Sequence, residues 1–236
     1  MTLPSDDLSV GTPVEATPAI RPAPETRREG TCVTLRPVDP ARDVDGLYAG
    51  SHGRAVVEGL WTYMAYGPFE GRDAMRAWLE TCARSADPLF LTVHADGHPA
   101  GMASFMNVVP GMRRLELGHI WYVPGAQRTR VNTETVYLML RESFDALGCR
   151  RVEWKCDALN ARSRAAARRL GFRFEGIFRS HMIVKGRSRD TAWYAMTDED
   201  WPAIRANLER WLSSGETRVS LAALNAPLVR ATIEDA

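Results

Sequence analysis

The stretch from Leu115 to Asp157 limits the possible folds more than any other part of this chain. Residues 115–123 are apolar and read as a strand. Val136, Leu140, Phe144 and Leu147 then set a helical stripe over about 131–147, with Gly148 placed as a C-terminal cap. Residues 151–157 alternate, with Val152, Trp154 and Cys156 facing one way and Glu153, Lys155 and Asp157 the other. The span is long enough for a parallel strand–helix–strand crossover. Between the first strand and the helix lies V-P-G-A-Q-R-T-R-V-N-T (123–133). The first turn of a helix offers unpaired N–H groups and the positive end of the dipole. Two arginines, Arg128 and Arg130, share that turn, so a phosphate-bearing ligand is the first expectation.

Around this unit the pattern predicts a short strand at 34–36 and helices over 40–52 and 71–85, the latter on Met75, Trp78, Leu79 and Cys82. A hairpin follows, with strands 89–94 and 99–108 joined through Asp96-Gly97. Asn160 caps a short helix over 161–170, a second hairpin spans 175–196 around K-G-R-S-R, and T-D-E-D (197–200) begins a last helix carrying Ile204, Leu208, Trp211 and Leu212. The order implies an α/β fold with a mixed sheet and helices on both faces. Residues 1–30 read as a disordered or loosely docked extension whose removal to residue 28 leaves the fold intact; 31–212 form the domain and 213–236 a tail. In that tail, Leu221, Leu224 and Leu228 suit packing on a surface or a partner.

Net charge is +1 in 236 residues, which gives no global case for nucleic acid or an anionic membrane. Cys32, Cys82, Cys149 and Cys156 form no C-x-x-C pair and no zinc spacing, so they read as reduced, mostly buried thiols, with no metal. No signal peptide or membrane span is apparent, which points to a cytoplasmic protein.

Four segments carry a family resemblance: L-E-L-G-H-I-W-Y-V-P (115–124), the helix start at 127–133, D-A-L-N-A-R-S (157–163) and R-L-G-F (169–172). In this order the chain resembles the GNAT superfamily of acyl-CoA-dependent N-acyltransferases, in its RimJ/RimL-like branch, over about 34–212. The resemblance implies a mixed, mostly antiparallel sheet with a parallel crossover. It implies acetyl-CoA, or another acyl-CoA, as cosubstrate, and a small-molecule amine or a protein N-terminus as acceptor. It is compatible with a homodimer. Trp121, Tyr122 and Val123 would pair with the pantetheine arm, and a backbone N–H there would serve the oxyanion. Gln127, Arg128, Thr129, Arg130, Val131, Asn132 and Thr133 would hold the pyrophosphate, with Asn160 on the pantetheine and Arg164 toward the adenosine phosphates. The family turn is patterned [Q/R]-x-x-G-x-[G/A]; Gln127 matches, but Arg130 and Asn132 stand where glycines are usual. Side chains should therefore carry more of the phosphate binding than in most relatives.

Acyl transfer to an amine needs a base, oxyanion donors and relief of the leaving thiolate. Glu116 is the favoured base, with an ion pair to Arg113 or Arg114 as its structural alternative. His119 competes, but its strand parity is opposite unless the strand bulges. Many GNAT enzymes place a tyrosine acid where this chain has Ala167; Ser163 is the substitute the branch suggests, or simply part of its helix N-terminus. Trp61, Tyr63, Tyr66 and Phe69 either line an acceptor pocket or pack as core, with core favoured. Arg179, His181, Arg187 and Arg189 suit an anionic acceptor or acyl group. The alternative functions are a catalytically silent acyl-CoA-binding module and an RNA- or ribosome-associated protein using the arginine clusters.

Overall fold

The computed structural model describes residues 10–53, 56–214 and 219–229. Eight strands form one sheet: β1 (Arg28–Glu29), β2 (Val33–Pro37), β3 (Leu89–Ala95), β4 (His98–Val109), β5 (Arg114–Tyr122), β6 (Arg151–Asp157), β7 (Arg173–Val184) and β8 (Arg187–Thr197). Their spatial order is β1-β2-β3-β4-β5-β6-β8-β7. Every neighbouring pair is antiparallel except β5 and β6, which are joined by the crossover read from the sequence.

The helices divide between the two faces. Helices α1 (Pro40–Ser51) and α3 (Arg72–Arg84) bury Val44, Leu47, Met75 and Leu79 with Phe90, Met102 and Trp121 of the sheet. Helix α2 (Val56–Trp61), absent from the sequence reading, precedes α3. The aromatic cluster is core: Trp61 is buried, 5.0 Å from Trp121 and 5.6 Å from Phe69 between ring centroids. Tyr63 lies outside it and donates to Leu159 O at 3.2 Å. Helices α4 (Arg130–Arg141), α5 (Ala161–Arg169) and α6 (Trp201–Ser213) cover the other face, where Val136, Leu140, Leu147, Ala167, Ile204 and Leu208 are buried.

Helix α4 is shorter than the periodicity suggested. It gives way at Glu142–Ala146 to a π-helical turn, closed by Leu147 N–H on Glu142 O at 2.9 Å, before Gly148 at φ 72°. The apolar stripe continues through that turn, so periodicity does not register the change. The expected box closes the turn before α6, with Asp200 Oδ2 accepting from Thr197 N–H at 3.1 Å, while Asp200 itself is the N-cap and makes no side-chain cap bond.

The N-terminal segment is anchored from residue 19 onward. Ala19 N–H reaches Pro110 O at 3.0 Å and Ile20 N–H reaches Leu147 O at 2.8 Å. Arg28 is buried; its Nε and Nη2 both engage the Glu142 carboxylate, the latter at 2.7 Å, and it stacks over Phe105. Glu134 on α4 accepts the N–H groups of Thr31, Cys32 and Val33 at 2.7, 2.6 and 2.9 Å. Gly30 permits that approach, since a Cβ there would fall 2.6 Å from Glu134 Cδ. In the tail, α7 (Leu221–Asn225) packs on the domain itself, burying Leu221, and Asn225 Nδ2 donates to Arg169 O at 2.9 Å. Residues 1–9 and 230–236 lie outside the described residues.

Candidate active site

The middle of the sheet comes apart. β5 and β6 pair only from Arg114↔Arg151 to Glu116↔Glu153. Beyond that point β6 follows β8 as far as Asp157↔Thr191, while β5 follows β4 as far as Tyr122↔Gly101. From Leu117 on, β5 thus has no backbone partner on its β6 side, a free strand edge inside the sheet. A bulge lies at the divergence: the β4–β5 register shifts between Met102 and Ser104, and His119 takes φ 51°. For a residue with a Cβ, the left-handed region costs about 1 kcal/mol. Gly118 removes one obstacle, because a Cβ there would lie 2.3 Å from Met106 Sδ. The bulge answers the parity problem: Leu115 and Leu117 lie in the α4-side core, which leaves Glu116 on the opposite face, and the His119 ring packs on Phe90 of that same face.

Glu116 is 2% exposed. Its Oε2 accepts from Asn107 Nδ2 at 2.7 Å and pairs with Lys155 Nζ at 2.9 Å. Burial raises its carboxyl above the ordinary glutamate range, although Lys155 and Asn107 pull the other way. The expected structural alternative does not occur: Arg114 pairs with Glu153 at 3.1 Å and Arg113 Nε donates to Gly148 O at 2.9 Å. His119 is held down to about 4 by burial and by the Lys155 charge, so it is neutral at physiological pH. Its Nδ1 lies 3.3 Å from Tyr66 Oη, and its ring packs 4.7 Å from Phe90. The Lys155 ammonium sits 5.2 Å from the Trp193 ring centroid. Sequence reading passed over Lys155, Asn107 and Trp193. The outward alternation of Glu153, Lys155 and Asp157 was the available signal for Lys155.

At the far end of the open edge lies the turn. Val123 N–H is committed to Ala100 O at 2.9 Å, so strand alternation directs the amide of Tyr122 toward the free side. Gln127 Nε2 closes the turn onto Tyr122 O at 2.9 Å. Thr129 caps α4, its Oγ1 accepting from Val131 N–H at 3.2 Å and donating to Ala126 O at 2.7 Å. Helix geometry leaves the Arg130 and Asn132 amides without intrahelical acceptors. Trp121, Tyr122 and Val131 side chains are buried, and of the three backbones the Tyr122 amide is the one on the open edge.

The two arginines differ. Arg128 is exposed at φ 60°, so the left-handed position of this turn falls on it. Arg130 turns away: its guanidinium donates to Leu212 O and, at 3.3 Å, to Ser214 O, and stacks over Trp211. It caps the C-terminal end of α6, where carbonyls lack helical partners. Thr133 is fully buried and accepts from Arg169 Nη1 at 2.8 Å, so its hydroxyl is used inside the domain. A groove of about 400 Å³ borders the turn, lined among others by Cys32, Asp96, Pro99, Val123, Thr129 and Arg130, and does not reach Glu116.

On α5, Asn160 Oδ1 accepts from Ser163 N–H at 3.1 Å, the expected cap. Ser163 Oγ accepts from Trp154 Nε1 at 3.0 Å and also lies against the Cys156 thiol. Arg164 is held locally by Tyr194 Oη and Ala158 O, both at 3.2 Å, and stacks over Phe174. Ala167 is buried, and no hydroxyl stands at its position. The β7–β8 hairpin arches to the segment before α3: Lys185 Nζ donates to Trp61 O at 2.8 Å and to Gly67 O at 2.5 Å. On the β8 side Trp193 packs 5.1 Å from Phe178, and His181 Nδ1 lies 3.0 Å from Thr191 Oγ1. All four cysteines are free, and no group of metal-ligating side chains occurs among the described residues. No helix described is long and apolar enough to cross a membrane.

A split sheet, a bulged strand carrying a buried carboxylate and a helix start at the end of the open edge are the arrangement of an acetyltransferase. The acetyltransferase (GNAT) domain pattern matches residues 33–173, and the chain belongs to that family. It is similar to a GCN5-related N-acetyltransferase from Brucella melitensis, whose crystal structure it matches at 37% identity and TM-score 0.84 over 89% of this chain and 98% of that one. It is 28% identical over 106 residues to the putative ribosomal N-acetyltransferase YdaF of Bacillus subtilis, a match covering 45% of this chain and 57% of that protein. It shares its fold with Mycobacterium smegmatis RimJ, solved with CoA-disulfide, at 24% identity and TM-score 0.65 over 76% of this chain and 88% of that one.

Proposed function

We propose that this protein transfers the acetyl group of acetyl-CoA to a primary amine by direct attack within a ternary complex. The observation that carries the reading is the parting of β5 from β6 immediately after Glu116. The free β5 edge would take the pantetheine arm as an added strand, and the α4 start would take the pyrophosphate through the amides of Arg130 and Asn132 and the side chain of Arg128. The thioester carbon would then lie beside Glu116. The neutral amine attacks that carbon, the oxygen charge is met by an edge amide of β5, and Glu116 accepts the proton the nitrogen loses. The carbon–sulfur bond breaks, and the coenzyme leaves as a thiolate that takes up a proton. Ser163 would turn its hydroxyl proton from Cys156 to that sulfur, in place of the tyrosine this chain lacks.

The acceptor enters from the side bounded by Tyr66, His119, Trp193 and the β7–β8 hairpin. The likeness to the ribosomal N-acetyltransferase favours a protein N-terminus as acceptor, with small amines as the other class. Free-thiol release from acetyl-CoA, followed across peptides with free N-termini, polyamines and amino acids, tests the reading. Turnover with at least one amine, slowed about 10²–10⁴-fold by Glu116→Gln, is expected. Coenzyme binding without turnover on any amine would favour a silent acyl-CoA-binding module instead.

A further inference from the structure

We propose that Lys155 is a positioning residue for this reaction, fixing the Glu116 carboxylate in orientation and charge beside the incoming amine. The inference rests on Glu116 being the base. Glu116 projects from the last residue at which β5 still pairs with β6, and Lys155 lies two residues further along β6, past the point of separation. The ion pair therefore bridges the mouth of the split, with Nζ 2.9 Å from Oε2. The lysine has few other places to be. Trp193, its cross-strand partner on β8, lies beneath the ammonium, whose distance to the ring centroid is 5.2 Å, and the side chain is only 18% exposed.

Groups on β4 and β6 set the charge state of Glu116. From β4, Asn107 donates to the same Oε2. From β6 come Lys155 and Glu153, while His119 on β5 is neutral and adds no charge. The Glu153 charge is taken up by Arg114 and Arg151, at 3.1 and 2.8 Å. Lys155 is thus the cation in direct contact with the base. Without it, a carboxylate 2% exposed would hold its proton to higher pH and could not accept one from the amine. The ammonium also occupies Oε2, leaving Oε1 as the oxygen directed to substrate.

The test uses the full chain and the variants Lys155→Met and Lys155→Arg. Carbon-13 NMR titration of the Glu116 side-chain carboxyl, assigned by its loss in Glu116→Gln, reads the ion pair without any acceptor. The acid limb of kcat/KM, measured with acetyl-CoA and an amine found active, reads the reaction. In Lys155→Met the Glu116 midpoint and the acid limb should both rise by about one to three pH units, and Lys155→Arg should return both most of the way. Should Lys155→Met fail to fold, Lys155→Gln takes its place with the same expectation. An unmoved Glu116 midpoint would overturn the proposal. A midpoint that moves while the acid limb stays put would overturn it differently, by removing Glu116 as base while leaving the ion pair intact.

Discussion

Replacing Arg128 by glycine separates two contributions that the phosphate turn combines. Arg128 holds φ 60° in the turn, and its side chain is exposed. Glycine removes the Cβ clash of the left-handed region, worth about 1 kcal/mol, and for a chain of this size that corresponds to a rise in Tm of about 2–4 °C. It also removes a guanidinium whose solvent-screened contact with a phosphate is worth about 1 kcal/mol, or roughly a fivefold change in Kd. Arg128→Ala removes the charge but keeps the strain. Titration calorimetry with CoA at low and moderate salt, beside differential scanning calorimetry, reads both effects. The expected pattern is a more stable Arg128→Gly protein, an Arg128→Ala protein close to wild type in Tm, and both binding CoA several-fold more weakly with a shallower salt dependence. If Arg128→Gly bound CoA as tightly as wild type or more so, the side chain would have no part in phosphate binding, and backbone approach alone would explain the site.

Arg130→Ala should behave in the opposite sense, lowering Tm by several degrees through loss of the α6 cap while CoA affinity changes less than about threefold, as thermal melts and calorimetry will show. Arg28→Ala strands the partly buried Glu142 carboxylate and should cost about 3 kcal/mol in urea unfolding, and deletion of residues 1–28 should destabilise at least as much. Asp43 is fully buried; burial alone would raise its carboxyl, but the His94 ring 3.2 Å away and hydrogen bonds from Arg42 and Thr92 bring it down from 3.8 to about 2. Its folded value lies below the unfolded one, so its contribution of about 2 kcal/mol is present above pH 4 and disappears as pH falls toward 2. Asp43→Asn should flatten that part of the stability–pH curve.

Patterned residues revealed themselves in the sequence; paired ones did not. The crossover was visible because Val136, Leu140 and Leu147 repeat at helical spacing and Val152, Trp154 and Cys156 alternate, and all six are buried. Glu116 stood out as a lone acid in an apolar strand. Its partners could not be inferred, because Lys155 lies thirty-nine positions away on a strand whose register is set by a pairing of only three residues. The arginines of the turn looked equivalent for the same reason. Arg130 is drawn off by carbonyls at 212 and 214, a long-range contact with no local signature. The extension at 19–30 has Ile20 as its one large apolar residue, and it is held by hydrogen bonds and by Arg28, so its composition resembled that of an undocked arm.

The proposed reaction depends on Glu116 acting as the base at the split of the sheet. Single-turnover acetyl transfer by Glu116→Gln, measured from saturated acetyl-CoA with an amine that wild type acetylates, tests it most directly. Loss of a general base should slow the transfer about 10²–10⁴-fold at neutral pH, with CoA affinity unchanged and the acid limb of the wild-type pH profile abolished. Transfer at the wild-type rate with the acid limb still present would assign the proton to another group and leave Glu116 a structural partner of Lys155 and Asn107.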